Sequence, residues 1–206
     1  MNQPRTAPST FVAALQVSLD GYVAGPEGEL DWVDSWADSL ALVGQVDAFV
    51  LGRGMFENGY EAYWDAALAD AETASETFGR EPYPRELDYA QLARATPHIV
   101  LSKTMTNAVW PNVRIARDVA DVAVLKDQPG QSVYVVGGPG LVATLMNARL
   151  VDELRLIVHP LILGGGTALF GGVEQRRELR LVGANPGTDG RVNLTYHVQA
   201  GRQPAM

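Results

Sequence analysis

The sequence predicts an α/β protein, and three observations carry that prediction. Residues 132–145 read as strand, glycine turn and helix. Val133, Tyr134, Val135 and Val136 form an unbroken β-favouring run, Gly137 and Gly138 stop it, and Leu141, Val142 and Leu145 recur at helical spacing behind Pro139. Three further short apolar runs, 11–17, 47–51 and 98–101, have the length and composition of buried strands. Near the carboxyl terminus, residues 179–183 and 192–198 flank N-P-G-T-D-G, the pattern of a closing antiparallel hairpin.

Composition bounds what such a protein can do. At 206 residues and 47% hydrophobic content the chain can bury a full core. One domain over 11–200, with 1–10 and 201–206 as flexible tails, is the simplest organisation. A net charge of −8 argues against nucleic acid or an anionic membrane as partner, because both repel it at long range. Cysteine is absent, which removes disulfides, thiolate metal sites and a cysteine nucleophile, and suits a reducing cytoplasm. No apolar run reaches membrane-spanning length, and residues 1–10 are polar, without the apolar core of a signal peptide. A cytoplasmic protein is expected.

Each element follows in order. The run F-V-A-A-L-Q-V at 11–17 reads as a central strand, and the Gly-, Pro- and Asp-rich stretch to Trp32 as a long loop of the kind that carries function. Trp32, Trp36, Leu40 and Val43 fall on one stripe, which predicts a helix over 32–43 with Asp31 and Asp34 placed to cap its first turn. Asp38 lies roughly opposite that stripe and reads as solvated, which leaves Asp31 and Asp34 as the acidic site candidates. The strand 47–51 ends in Gly52, Arg53 and Gly54, suited to an anion contact or to an ordinary surface arginine.

Residues 58–95 are acidic and irregular and read as an insertion or lid. Its Tyr60, Tyr63, Trp64, Phe78, Tyr83 and Tyr89 are expected to pack rather than cage a ligand. The strand 98–101 ends at Ser102, Lys103 and Thr104. Hydroxyl and basic groups there suit a 2′-phosphate, where an NAD site offers a carboxylate, so a dinucleotide would be NADPH. A strand at 113–116, a helix at 119–126 and a turn at Pro129 and Gly130 lead back to the glycine turn. The apolar run 154–163 predicts a strand near the sheet edge that needs cover on both faces, from the chain's own helices or from a second copy in a homodimer.

The glycine turn itself admits two readings. Free N–H groups at a helix start, with glycines that let a ligand approach, favour a phosphate; a tight connection without a ligand explains the same residues, since the spacing is G-G-x-G and not G-x-G-x-x-G. Metal ligation has little support, because His98, His159 and His197 each stand alone on a predicted strand. Neither G-x-S-x-G nor a Walker sequence occurs.

Five ordered stretches, S-L-D-G-Y-V-A-G, V-L-G-R-G-M-F, H-I-V-L-S-K-T-M, V-Y-V-V-G-G-P-G-L and L-V-D-E-L-R-L-I-V-H-P-L-I-L-G-G-G-T-A-L-F, resemble the dihydrofolate reductase-like superfamily. Within it they are most similar to the reductase domain of the bifunctional riboflavin-biosynthesis deaminase-reductase and its stand-alone relatives. The resemblance implies a three-layer α/β/α fold with a central, mostly parallel sheet and an antiparallel C-terminal hairpin. It implies NADPH held by Gly52 and Arg53 near the phosphates, Ser102 and Lys103 at the 2′-phosphate, and Val136, Gly137, Gly138, Gly140 and Leu141 at the pyrophosphate loop. Val23 and Leu30 match positions lining the nicotinamide, and Trp32 and Val158 positions at the substrate. Asp31 or Asp34 is then the proton-relay candidate, with Asp20 third. The implied activity is that of 5-amino-6-(5-phosphoribosylamino)uracil reductase, or of a dihydrofolate or other pteridine reductase; a non-catalytic nucleotide-binding protein on the same fold is the alternative. The stretch after Arg53 departs from the riboflavin enzymes' aspartate-asparagine-proline signature, reading F-E-N-G-Y-E-A-Y-W.

Overall fold

The run 11–17 becomes the centre of the molecule because it has no polar face to present to water. In the computed structural model, which describes residues 8–129 and 132–199 (the side chain of Leu42 excepted), this is strand β1, Thr10–Ser18, buried along almost its whole length. Phe11, Ala13, Leu15 and Val17 join one apolar cluster, and Val12 and Ala14 a second on the opposite face. Burial of both faces is what a central parallel strand requires.

The remaining strands are β2 (Tyr22–Ala24), β3 (Ala48–Gly52), β4 (His98–Leu101), β5 (Val113–Ala116), β6 (Ser132–Gly137), β7 (Glu153–His159), β8 (Thr167–Ala168), β9 (Leu179–Pro186) and β10 (Val192–Val198). The main sheet is eight-stranded in the order β5-β4-β3-β6-β1-β7-β10-β9. From β5 to β7 every pairing is parallel, and the C-terminal hairpin β9–β10 pairs antiparallel, as does β10 with β7. β2 and β8 form a small separate ribbon.

Helices cover both faces. They are α1 (Ala37–Val43), α2 (Arg53–Met55), α3 (Glu61–Ala67), α4 (Ala71–Phe78), α5 (Pro84–Ala95), α6 (Val119–Ala123) and α7 (Pro139–Asn147), with a π-helical turn at Phe56–Tyr60 and a 3-10 turn at Val124–Asp127. Val142, Leu145 and Met146 of α7 and Val122 of α6 pack on one face, and Ala37, Trp64, Tyr89, Ala90 and Ala93 from α1, α3 and α5 on the other. This is the predicted α/β/α arrangement.

Several expectations need correction. The helix predicted over 32–43 begins only at Ala37. Ser35 is buried, donates its hydroxyl to Glu86 Oε1 at 2.7 Å and accepts the Ala37 N–H at 3.3 Å, so the preceding segment is held as a loop by a tertiary partner. Asp34 is not a cap; it accepts from Arg85 at 2.9 Å and from the Tyr83 hydroxyl at 3.3 Å. Asp38 is not solvated: its side chain is 12% exposed and paired with Arg85 and Arg191 at 2.6 and 2.7 Å. Residues 58–95 do not stand apart from the domain as a separate lid, since Trp64, Tyr89, Ala90 and Ala93 are core residues.

The apolar run 154–163 is strand only to His159, because Pro160 cannot continue the ladder. β7 lies inside β10 and β9, so the sheet edge on that side belongs to β9. Of the predicted tails, residues 8–10 are attached: Ser9 donates to the Gln128 carbonyl at 2.8 Å, and Pro8 bridges to Pro129. Residues 1–7, 200 and 201–206, and Gly130 of the predicted turn, lie outside the described residues. Among the described residues no helix is long and apolar enough to cross a membrane.

Candidate active site

The parallel strands aim their carboxyl ends at one side of the sheet, and there the glycine turn opens. Gly137 and Gly138 have φ of 127° and 78°, values that L side chains rarely adopt. No heavy atom lies within 4 Å of where a Cβ would stand on Gly138 or Gly140, so the backbone faces open space at the start of α7. Pro139 occupies the first helical turn, where its missing N–H costs no hydrogen bond.

Beside this turn lies a cavity of about 410 Å³. Ala14, Leu15 and Gln16 of β1 and Tyr134 and Val136 of β6 contribute the sheet side; Val23 and Ala24 come from β2 and Leu30 from the loop after it; Met55, Tyr60, Tyr63, Trp64 and Tyr89 come from the helical layer. Val23, Leu30, Val136 and Gly138, all assigned to the cofactor from the sequence, are therefore brought to one space. Gly52 stands against α7, where an added Cβ would be 3.5 Å from Leu141 Cβ, so the ends of β3 and β6 are adjacent.

The basic candidates stand on neighbouring strand ends, outside the cavity. Arg53 is exposed and pairs with Glu57 at 3.0 Å, and Lys103 is exposed. Ser102 is buried, with its Oγ accepting the Met105 N–H at 2.9 Å, so its hydroxyl shapes the turn. Arg117, which the sequence reading missed, donates to the Ser102 and Met105 carbonyls at 3.0 and 2.7 Å from the end of β5. Its position after a predicted strand was the available signal.

The acidic candidates do not meet in the cavity. Asp31 is exposed and Asp34 is engaged by Arg85, and neither lines it. Asp20 accepts the Ser18 hydroxyl at 2.7 Å and the Leu163 and Gly164 N–H groups at 3.1 and 2.8 Å, which ties the loop after β1 to the glycine-rich turn after β7. The Ser18 hydroxyl, with those backbone N–H groups, holds the Asp20 carboxyl below its ordinary range. Trp32 packs edge-on against His159 at 4.8 Å, and Val158 faces Val17 and Val192 in the sheet; neither is a lining residue.

What the sequence did not reveal is the character of the wall. Gln16 is buried, donates to the Ser35 carbonyl at 2.7 Å and bonds His159 Nε2 through Oε1 at 2.9 Å. Its lone polarity within an apolar strand was the signal for it. His98 Nδ1 lies 2.9 Å from the Thr96 carbonyl and so carries the proton; Nε2 then accepts from Tyr60, 3.3 Å away, and Tyr60 receives the Tyr89 hydroxyl at 3.2 Å. Burial lowers His98 to about 4 and raises Tyr63 to about 12, and it pushes Tyr60, Tyr89 and Tyr134 well above the ordinary phenol value. Burial, aided by the charge of Arg191, also lowers His159. These groups stay neutral around neutral pH.

The chain matches the RibD C-terminal domain family over residues 10–192. It is 31% identical over 193 residues to the uncharacterized protein YyaP of Bacillus subtilis (strain 168), covering 91% of this chain and 94% of that one. Among solved structures, a putative riboflavin biosynthesis protein from Shewanella sp. PV-4 superposes with a TM-score of 0.64 at 24% identity, covering 92% of this chain and 99% of that one. Dihydrofolate reductase from Enterococcus faecalis, complexed with NADP(H) and RAB-propyl, superposes with a TM-score of 0.56 at 18% identity, covering 92% and 96%. With its parallel sheet, antiparallel closing hairpin and open glycine turn, the chain has a dihydrofolate reductase-like fold and belongs to the RibD C-terminal domain family.

Proposed function

We propose that the protein is an NADPH-dependent reductase of a small nitrogen heterocycle. The observation that carries this reading is the convergence of Val23, Leu30, Val136 and Gly138 on one cavity beside an open glycine turn. The residues fit the cofactor: a Cβ-free surface at Gly138 and Gly140 admits a pyrophosphate, and Arg53, Lys103 and Arg117 put exposed cations on the ends of β3, β4 and β5 for a 2′-phosphate. The Enterococcus faecalis relative of the same fold carries NADP(H), which supports the choice.

Bound NADPH would supply a hydride and leave as NADP⁺. An acceptor C=N bond would need that hydride on carbon and one proton on nitrogen. Among the described residues no carboxyl group lines the cavity, so its residues would contribute alignment and exclusion of bulk water. Loss of the reduced cofactor's near-ultraviolet absorbance, followed against a panel of pyrimidines and pteridines, tests the reading. Turnover with any of them supports it; NADPH binding without turnover across the panel replaces it with a non-catalytic nucleotide-binding role.

The same reading places the protein in the cytoplasm as a homodimer. Support for the dimer comes from the edge strand β9, where Leu179, Leu181 and Val182 are 39%, 53% and 50% exposed.

A further inference from the structure

We propose that Gln16 orients the ring to be reduced by pairing with its lactam edge, a ring N–H beside a ring carbonyl. This deepens the reductase reading and rests on it only for the claim that the ring is reduced. Gln16 lines the cavity from β1 and is 4% exposed. Its amide is fixed from two sides. The Ser35 carbonyl can only accept, so Nε2 faces it at 2.7 Å; Oε1 is then left to His159 Nε2 at 2.9 Å, which carries the proton. Ser35 is itself anchored, its hydroxyl donating to the fully buried Glu86 at 2.7 Å. After both bonds the amide keeps one N–H and one carbonyl lone pair on adjacent atoms, the complement of a lactam edge.

The other buried polar side chains of the wall are engaged elsewhere. Tyr60 and Tyr89 share a hydrogen bond, Tyr60 also reaches His98, and Tyr134 donates to the Ala14 carbonyl and accepts from Ser39. Asn58 and Thr167 are exposed and belong to the rim. β1 lies between β6, which carries the glycine turn, and β7. The bonds of Gln16 run to His159 of β7 and to the segment before α1, so its amide is drawn away from that turn and serves the second ligand, not the cofactor. An edge that meets both groups at once fixes the ring in its own plane, the alignment that hydride transfer needs. A ring without that edge leaves part of a buried amide unpaired, which costs binding.

The test is calorimetric titration of the full chain with pterin, 6-methylpterin and 3-methylpterin at mildly acidic pH, where all three are neutral. The first two present the lactam edge; in the third a methyl group replaces its N–H. 6-Methylpterin should bind within severalfold of pterin, and 3-methylpterin at least about tenfold more weakly than either. Gln16→Met keeps the length of the side chain, removes both polar groups and should bring that ratio close to one. A merely structural role would weaken all three ligands together and leave the ratio intact. In the isotopically labelled, unmodified chain the Gln16 side-chain amide resonance should shift further with pterin than with 3-methylpterin, a readout that needs no variant to fold. Equal binding of pterin and 3-methylpterin by the unmodified chain, a ratio unchanged in Gln16→Met, an unmoved Gln16 resonance, or no binding of pterin overturns the inference. NADPH is titrated separately. Weaker NADPH binding in Gln16→Met with an unchanged pterin ratio would give the amide to the nicotinamide instead. NADPH that fails to bind while the pterin ratio holds brings down the reductase reading and leaves this inference standing.

Discussion

Replacing Glu86 tests whether the layer that walls the cavity is held by one buried carboxylate. Glu86 is 0% exposed and accepts four hydrogen bonds: from Ser35 Oγ at 2.7 Å, the Tyr83 N–H at 2.8 Å, and Arg80 Nη1 and Nη2 at 2.8 and 2.9 Å. Breaking a buried pair by removing one partner costs about 3–5 kcal/mol. Arg80 is 28% exposed and keeps the Glu81 and Asp34 carbonyls at 3.1 Å, so it can rehydrate in part. Glu86→Ala should therefore cost about 3 kcal/mol, and Glu86→Gln, which preserves shape but turns donors toward Arg80, about 2 kcal/mol.

Urea denaturation measures both. Burial alone would raise the Glu86 pKa, but the hydrogen bonds from Arg80, Ser35 and Tyr83 and the charge of Arg80 bring it below the ordinary 4.5. A carboxylate whose pKa is depressed by folding stabilises above its unfolded pKa and loses that contribution as pH falls through the folded one. The gap between wild type and Glu86→Gln should thus be flat above about pH 4.5 and shrink below it. A variant within about 0.5 kcal/mol of wild type at neutral pH, or a gap that stays constant on acidification, would refute the reasoning. Because Ser35 also holds Gln16, ligand binding in the cavity should weaken alongside stability.

Gly138→Val should abolish NADPH binding in a folded protein, since φ of 78° resists a β-branched residue and its side chain would fill the open approach; unchanged affinity by calorimetry would make the turn merely structural. Arg53→Ala with Lys103→Ala should erase most of any preference for NADPH over NADH, worth about 1.5–3 kcal/mol per lost charged contact, and equal affinities in the unmodified chain would sink that assignment. Gly166→Ala would put a Cβ 2.2 Å from the Ala24 carbonyl oxygen at φ of 117°, so it should lower the thermal midpoint and displace the segment carrying Val23. Light scattering should give a mass near twice 22.2 kDa, falling to the monomer in Leu181→Lys; a constant monomer mass on concentration would remove the dimer.

The sequence by itself determined the parts whose causes are local. Short apolar or β-favouring runs made β1, β3, β4 and β6, the glycines after Val136 made the turn, and N-P-G-T-D-G lies where the chain turns from β9 to β10. The family resemblance named Val23, Leu30, Val136 and Gly138 for a cofactor, and the fold brings these four to one cavity. Tertiary structure decided the rest. The helix start moved from Trp32 to Ala37 because Ser35 found Glu86, a partner 51 residues away, and no periodicity contains that bond. Asp38 looked solvated on a helical wheel because a wheel knows only its own helix, whereas Arg85 and Arg191 reach it from α5 and from the start of β10. Tyr60, Trp64 and Tyr89 are at once core and cavity wall, which only the packing of the helical layer on the sheet decides. That no charged side chain is among the described residues lining the cavity is likewise a property of the packed layers: acidic and basic residues are plentiful in the sequence, and folding pairs Arg80 with Glu86 and Arg85 with Asp38.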